Sequence, residues 1–115
     1  MNLHEMANLV TIWFNKALAG GLILPDGWFG RPHDNLHRLS RVQALGQTLQ
    51  IELDDRLVLE FTNPASIRIK DSALIIEGFD NLSFYWSEFD SDDKHTTAYT
   101  SGTVSFMPPT GTVVN

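Results

Sequence analysis

His33, Asp34 and His37 sit within one short stretch, and their side chains bind metal ions or exchange protons near neutral pH. Such a set would support metal-assisted or acid–base hydrolysis, with His95 as a distant source of a third nitrogen. The spacing argues against that chemistry. Pro32 disfavours a helix here, so the two histidines do not have the one-turn helical spacing of known metalloenzyme motifs. Surface histidines beside a turn are the plainer reading, and no metal or cofactor is expected.

The same stretch closes a more unusual segment, Pro25-Asp26-Gly27-Trp28-Phe29-Gly30-Arg31-Pro32-His33-Asp34-Asn35. Two glycines flank two adjacent aromatics, and two prolines limit the backbone. Neighbouring aromatics on a turn do not readily point the same way. One is expected to enter the core while the other stays partly exposed, forming a rigid apolar platform. Aromatic platforms contribute contact area with little entropy loss, which suits contact with a small molecule or a protein. Trp28, Phe29, Arg31, His33, Asp34 and His37 are therefore the candidate binding residues. The architectural alternative is a loop pinned to a sheet by Trp28 and Phe29, with Asp26 and Asp34 making turn hydrogen bonds.

Other chemically capable residues carry less. Glu52 and Glu60 fall on the outward face of neighbouring strands, where paired acids are ordinarily just solvated. Asp90-Ser91-Asp92-Asp93 lacks the glycine and distal glutamate of a twelve-residue calcium loop, so a solvated hairpin loop is expected. No phosphate-binding glycine pattern, nucleophile elbow or helical H-E-x-x-H is present. No catalytic residue is assigned.

These residues belong to a chain of 115, the size of one domain, with 43% hydrophobic and 19% charged residues. The formal charge of −6 argues against a nucleic-acid partner, whose phosphates call for clustered cations. The lack of cysteine excludes a disulfide scaffold and a thiolate site. No stretch approaches the roughly 20 apolar residues of a spanning helix, so no membrane partner is expected and a cytoplasmic location is the default.

Residues 2–19 read as the one helix. Leu3, Met6, Val10, Trp13, Phe14 and Ala17 form a stripe at three- and four-residue steps. Asn2 and Glu5 have capping-box spacing, and Gly20-Gly21 is expected to supply the left-handed stop. Residues 20–36 are then a loop.

From Thr48 onward the period changes to two. Leu49, Ile51 and Leu53, then Leu57, Leu59 and Phe61, alternate with polar neighbours as in half-buried antiparallel strands. Strict alternation makes the turns readable. A three-residue loop, Asp54-Asp55-Arg56 with Arg56 left-handed, pairs Leu53 with Leu57 and Ile51 with Leu59. A two-residue turn at Asp71-Ser72 pairs Ile69 with Leu74. By the same test, Phe79-Asp80-Asn81 would turn the chain between Ile76 and Leu82, and Ser101-Gly102 would place Tyr99 opposite Val104. Thr62-Asn63-Pro64-Ala65 is a connection. Leu36–Leu45 changes phase midway, as a bulged strand would.

The expected fold is α+β: an N-terminal helix packed on a six- to eight-stranded antiparallel meander spanning 37–107. The sheet would be strongly bent or form a small, partly open barrel, and residues 108–115 would fray. The function expected is a small non-catalytic interaction or ligand-binding module using the Trp28–His37 loop, with an unknown protein or small molecule as partner. The alternatives are a small hydrolase or metal-assisted enzyme using His33, Asp34 and His37, and a self-associating structural protein. Val58 and Ile75 are apolar at outward positions and would suit a homodimer.

Overall fold

A computed structural model describes residues 1–31, 34–87 and 93–115. One helix, α1 (Leu3–Ala17), precedes ten strands: β1 (Gly21–Leu24), β2 (Gly27–Trp28), β3 (Leu39–Leu45), β4 (Thr48–Leu53), β5 (Leu57–Thr62), β6 (Ser66–Lys70), β7 (Ala73–Glu77), β8 (Asn81–Ser87), β9 (Lys94–Tyr99) and β10 (Thr103–Met107). The strands form two antiparallel sheets, the first in the order β2-β1-β10-β7-β6 and the second in the order β3-β4-β5-β8-β9. The fold is α+β, with the helix lying against β3 and β4 of the second sheet and β6 of the first. The sheets do not close into a barrel.

The capping box forms as the spacing requires. Glu5 N–H donates to the Asn2 side chain at 2.9 Å, and Asn2 N–H donates to Glu5 Oε1 at 3.0 Å. The helix ends earlier than expected, because Leu18, not a glycine, takes the left-handed conformation (φ 69°). Gly20 and Gly21 serve close approach instead. A Cβ on Gly20 would stand 2.9 Å from the Trp13 ring, and Gly20 pairs with His37 in an isolated bridge. Residues 20–36 are accordingly not all loop, since they contain β1 and β2. Their strand character was hidden because β1 finds its partner, β10, at the other end of the chain.

The hairpin β4–β5 has the register read from alternation, Leu53 with Leu57, Ile51 with Leu59 and Leu49 with Phe61. Its turn differs in detail: Asp54 and Asp55 are left-handed and Arg56 is not. Aspartate tolerates that region better than arginine, and Arg56 N–H closes the turn on Leu53 O at 3.0 Å. The two-residue turn at Asp71-Ser72 also has its expected register. In β3 the register shifts between Leu39 and Arg41, so Leu39 meets Leu53 while Val42 and Ala44 meet Ile51 and Leu49. One extra residue resolves the phase change.

Two expected turns do not exist. Residues 78–80 and 100–102 carry the chain from one sheet to the other, and β7 pairs with β6 and β10 while β9 pairs with β8. Asn81 is the first residue of β8, not a left-handed turn residue. The segments 57–70, 73–87 and 94–107 are consecutive antiparallel neighbours, each folded across its middle, so that one half lies in each sheet. The meander holds at the level of these long segments, and the bend divides it in two. At the crease Gly78 is left-handed (φ 73°), and a Cβ there would stand 2.6 Å from the Ala65 Cβ, so glycine is required on both counts. Asn63 Nδ2 donates to Asp80 Oδ2 at 2.9 Å, tying two of the folded segments together.

The core lies between the sheets and under the helix. Trp13, Phe61, Phe84, Phe106, Leu22, Leu59 and Ile76 are all buried in it. The C-terminal segment does not fray as expected: Val114 is 1% exposed, and its N–H donates to Ser72 Oγ at 3.0 Å. One buried valine and one backbone hydrogen bond hold an end that looked polar and proline-broken in sequence.

Candidate functional site: a groove beside Trp28

The two adjacent aromatics separate as the turn geometry requires. Trp28 pairs with Ile23 in the short β1–β2 ladder and stays 57% exposed on the outer face of the first sheet. Phe29 turns inward, edge-on to Phe84 and Trp86 with ring centroids 5.2 Å away in each case. Gly21 makes room for the Asn35 carbonyl oxygen, which a Cβ there would approach to 3.1 Å, and lies beside the Trp28 ring, which the same Cβ would meet at an ordinary 3.4 Å.

Trp28 forms one wall of a groove of about 190 Å³ whose other lining residues are Gly21, Asn35, Leu36, Met107, Pro108, Pro109 and Thr110. Leu36 is also exposed, at 49%. The C-terminal residues in this wall had no signal in the sequence beyond their prolines. They reach Trp28 only because β10 pairs with β1, which sets Met107 opposite Gly21.

Behind the groove lies a buried polar relay. Asn35 is 2% exposed, and its side-chain amide pairs with the backbone of Leu22, accepting from N–H at 3.0 Å and donating to C=O at 2.9 Å. Those two bonds orient the amide, so Asn35 Oδ1 is the atom that faces His37 Nε2, at 2.8 Å. His37 Nδ1 lies 2.7 Å from Asp54 Oδ2, while Asp54 Oδ1 accepts from Arg38 N–H at 2.9 Å. Both ring nitrogens therefore lie within hydrogen-bond distance of a side-chain oxygen. The relay links β1, the start of β3 and the β4–β5 turn.

This geometry sorts the expected site residues. Trp28 is in the groove and exposed, while Phe29 and His37 lie behind it and hold its base. Arg31 and Asp34 are exposed, with Asp34 N–H donating to Arg31 O at 3.0 Å. His33 lies outside the described residues. Asn35 was not among the candidates, yet its side chain makes three hydrogen bonds, two with Leu22 and one with His37. The hydrolytic alternative gains nothing from the arrangement, because His37 is 2% exposed and both its ring nitrogens already face protein partners, Asp54 and Asn35. Among the described residues no three histidine or acidic side chains gather as a metal site would require. His95 instead stacks on Trp86, ring centroids 4.4 Å apart.

A second depression, about 230 Å³, lies on the outer face of the second sheet and is lined by Glu52, Val58, Tyr85 and Lys94 among others. Glu52 and Glu60 are not simply solvated there. Glu52 pairs with Arg41 at 3.4 Å, and Glu60 accepts from Tyr85 Oη at 2.6 Å and Gln50 Nε2 at 3.3 Å. Burial, then the hydrogen bond to Glu60 and its charge, push the Tyr85 phenol up to about 12. The phenol is held protonated in the fold, so its contribution to stability is complete below pH 10 and is lost as pH rises through about 12. Ultraviolet titration of the folded protein is expected to show this tyrosine ionising after an unperturbed phenol would, and Glu60→Gln is expected to bring it earlier. Glu52 and Tyr85 thus already have partners, and the groove beside Trp28, which sets an exposed aromatic ring against apolar walls, is the candidate site.

The acidic run at 90–93 lies, apart from Asp93, outside the described residues. Val58 and Ile75, the apolar residues expected at outward positions, are half-buried and lie in different sheets, in β5 and β7. Among the described residues no helix is long and apolar enough to cross a membrane. No protein-family model, curated protein or solved structure matches this chain.

Proposed function

We propose that the protein is a non-catalytic binding module that seats one apolar side chain of a protein partner in the groove beside Trp28. The observation that carries this reading is the Trp28 ring, large and exposed yet braced by the Gly21 backbone and faced by Leu36, Met107 and two prolines. Tryptophan in such a setting is the residue type most often dominant in binding energy, and a braced ring loses little freedom when it is covered. The volume favours a side chain over a whole small molecule, because typical ligand pockets hold about 300–1,000 Å³. A cytoplasmic setting belongs to the proposal and rests on the sequence alone.

Nuclear magnetic resonance titration with N-acetyl amino-acid amides tests it. The leucine, phenylalanine and tryptophan compounds are expected to shift the Trp28 indole and the Gly21, Leu36 and Thr110 amides, while the aspartate and lysine compounds do not. Trp28→Ala is expected to weaken binding about 30-fold, equivalent to about 2 kcal/mol, with the melting temperature nearly unchanged. Shifts centred on Val58 and Tyr85 instead would reject the groove, and global unfolding of the variant would make Trp28 a structural residue.

A further inference from the structure

Each of the two sheets has two edges, and their treatment is unequal. In the first sheet β2 is only two residues long and β6 lies against α1; in the second, β3 also lies against α1. Short or covered edges of this kind are how proteins avoid unwanted strand pairing. β9 is different. It runs for six residues as the last strand of the second sheet, with Lys94 to Ala98 exposed and Tyr99 half-buried, and no described strand pairs with its outer side. It contains no proline, shows no register break against β8, and carries one formal charge, at its first residue.

We propose that β9 pairs with the β9 of a second copy of this chain about a two-fold axis, joining the two second sheets into one continuous sheet. Three observations favour a second copy over another extended chain. Side chains directly opposite in an antiparallel pair must point to the same face, so the two-fold passes through Thr96 or Thr97. The first register sets Lys94 against Ala98 and His95 against Thr97, and the second sets His95 against Tyr99; neither places like charges opposite each other. Although the chain carries −6 overall, β9 itself holds no acidic residue; the carboxylates beside it are at its two ends, Asp93 before Lys94 and Asp26, which accepts from Tyr99 Oη at 3.0 Å. Finally, because the described residues of each copy offer one such edge, pairing closes at two copies and does not propagate into a filament.

A single strand pair is a small interface, so association is expected to be weak and concentration-dependent. Sedimentation equilibrium from about 10 µM to about 1 mM, a range that brackets weak pairing, is expected to show the average mass rising from the 12.9 kDa of one chain toward twice that value. The double variant Thr96→Lys, Thr97→Lys puts lysines at the centre of either register on side chains that face water. It is expected to weaken association at least tenfold while keeping the melting temperature. Trp28→Ala is expected to leave the mass curve unchanged, which separates this contact from the groove. A wild-type chain that stays monomeric throughout, a dimer indifferent to the lysines, a dimer lost with Trp28, or growth beyond two copies would each overturn the proposal.

Discussion

Asn35→Ala is expected to destabilise the protein by about 2–6 kcal/mol, more than most changes at a loop residue. The side chain occupies a dry site and completes three hydrogen bonds, two with Leu22 and one with His37. Alanine leaves the Leu22 N–H and the His37 Nε2 without partners, at about 1–3 kcal/mol for each buried group left unsatisfied, while the Leu22 C=O keeps its bond from Phe29 N–H at 3.0 Å. β1 would also lose its tie to the start of β3, and Asn35 itself lines the groove. Urea unfolding checks the magnitude, with the midpoint expected to fall steeply at constant slope. The amide titration described for Trp28 would then show the groove weakened even under conditions where the variant remains folded. A loss below about 1 kcal/mol would mean that water replaces the amide, and the relay would cease to explain how the groove is held.

Trp13→Ala is expected to cost about 3–5 kcal/mol, as large-to-small changes at fully buried aromatics do. Trp13 sits edge-on to Phe14 at 4.9 Å and tilted against Phe106 at 6.3 Å, and it touches the space that Gly20 leaves open. Its indole N–H donates to Ser72 O at 2.8 Å, so the β6–β7 turn loses a partner as well as a packing surface. A domain of this length has a total stability of about 6–17 kcal/mol, so the alanine variant is expected to be marginal at body temperature. Trp13→Phe keeps most of the apolar contact and removes the donor, and is expected to cost less than half as much. Thermal unfolding of the two variants side by side checks the order; equal losses would assign the effect to the hydrogen bond alone.

Much of the interior was legible in advance. The stripe from Leu3 to Ala17, the capping pair Asn2 and Glu5, and the inward residues Leu49, Leu59, Phe84 and Phe106 follow from periods of 3.6 and 2, which are local properties. The registers at Asp54–Arg56 and Asp71-Ser72 were legible for the same reason, because a short turn leaves one pairing that keeps both apolar sets inside. The parity argument misled at 78–80 and 100–102. It identifies the inward side of a strand, and a strand that bends into a second sheet keeps its inward side, so an internal crease reads the same as a hairpin turn. That one aromatic of the Trp28-Phe29 pair stays exposed was also within reach of the sequence, whereas which of the two, and that Met107, Pro108 and Pro109 face it, were not.

By itself, then, the amino-acid order determined the single helix, the alternation of its strands and the residues that must leave water, since burial preference and side-chain direction depend on near neighbours. Tertiary structure decided that β1 takes β10 as its neighbour, that three long segments fold across Asn63, Gly78 and Gly102, and that Val114 returns to the body. The physical reason is that strand partners meet through backbone N–H and C=O groups, which are the same for nearly every residue. Which distant segments share those bonds is settled only when all the apolar faces are covered at once.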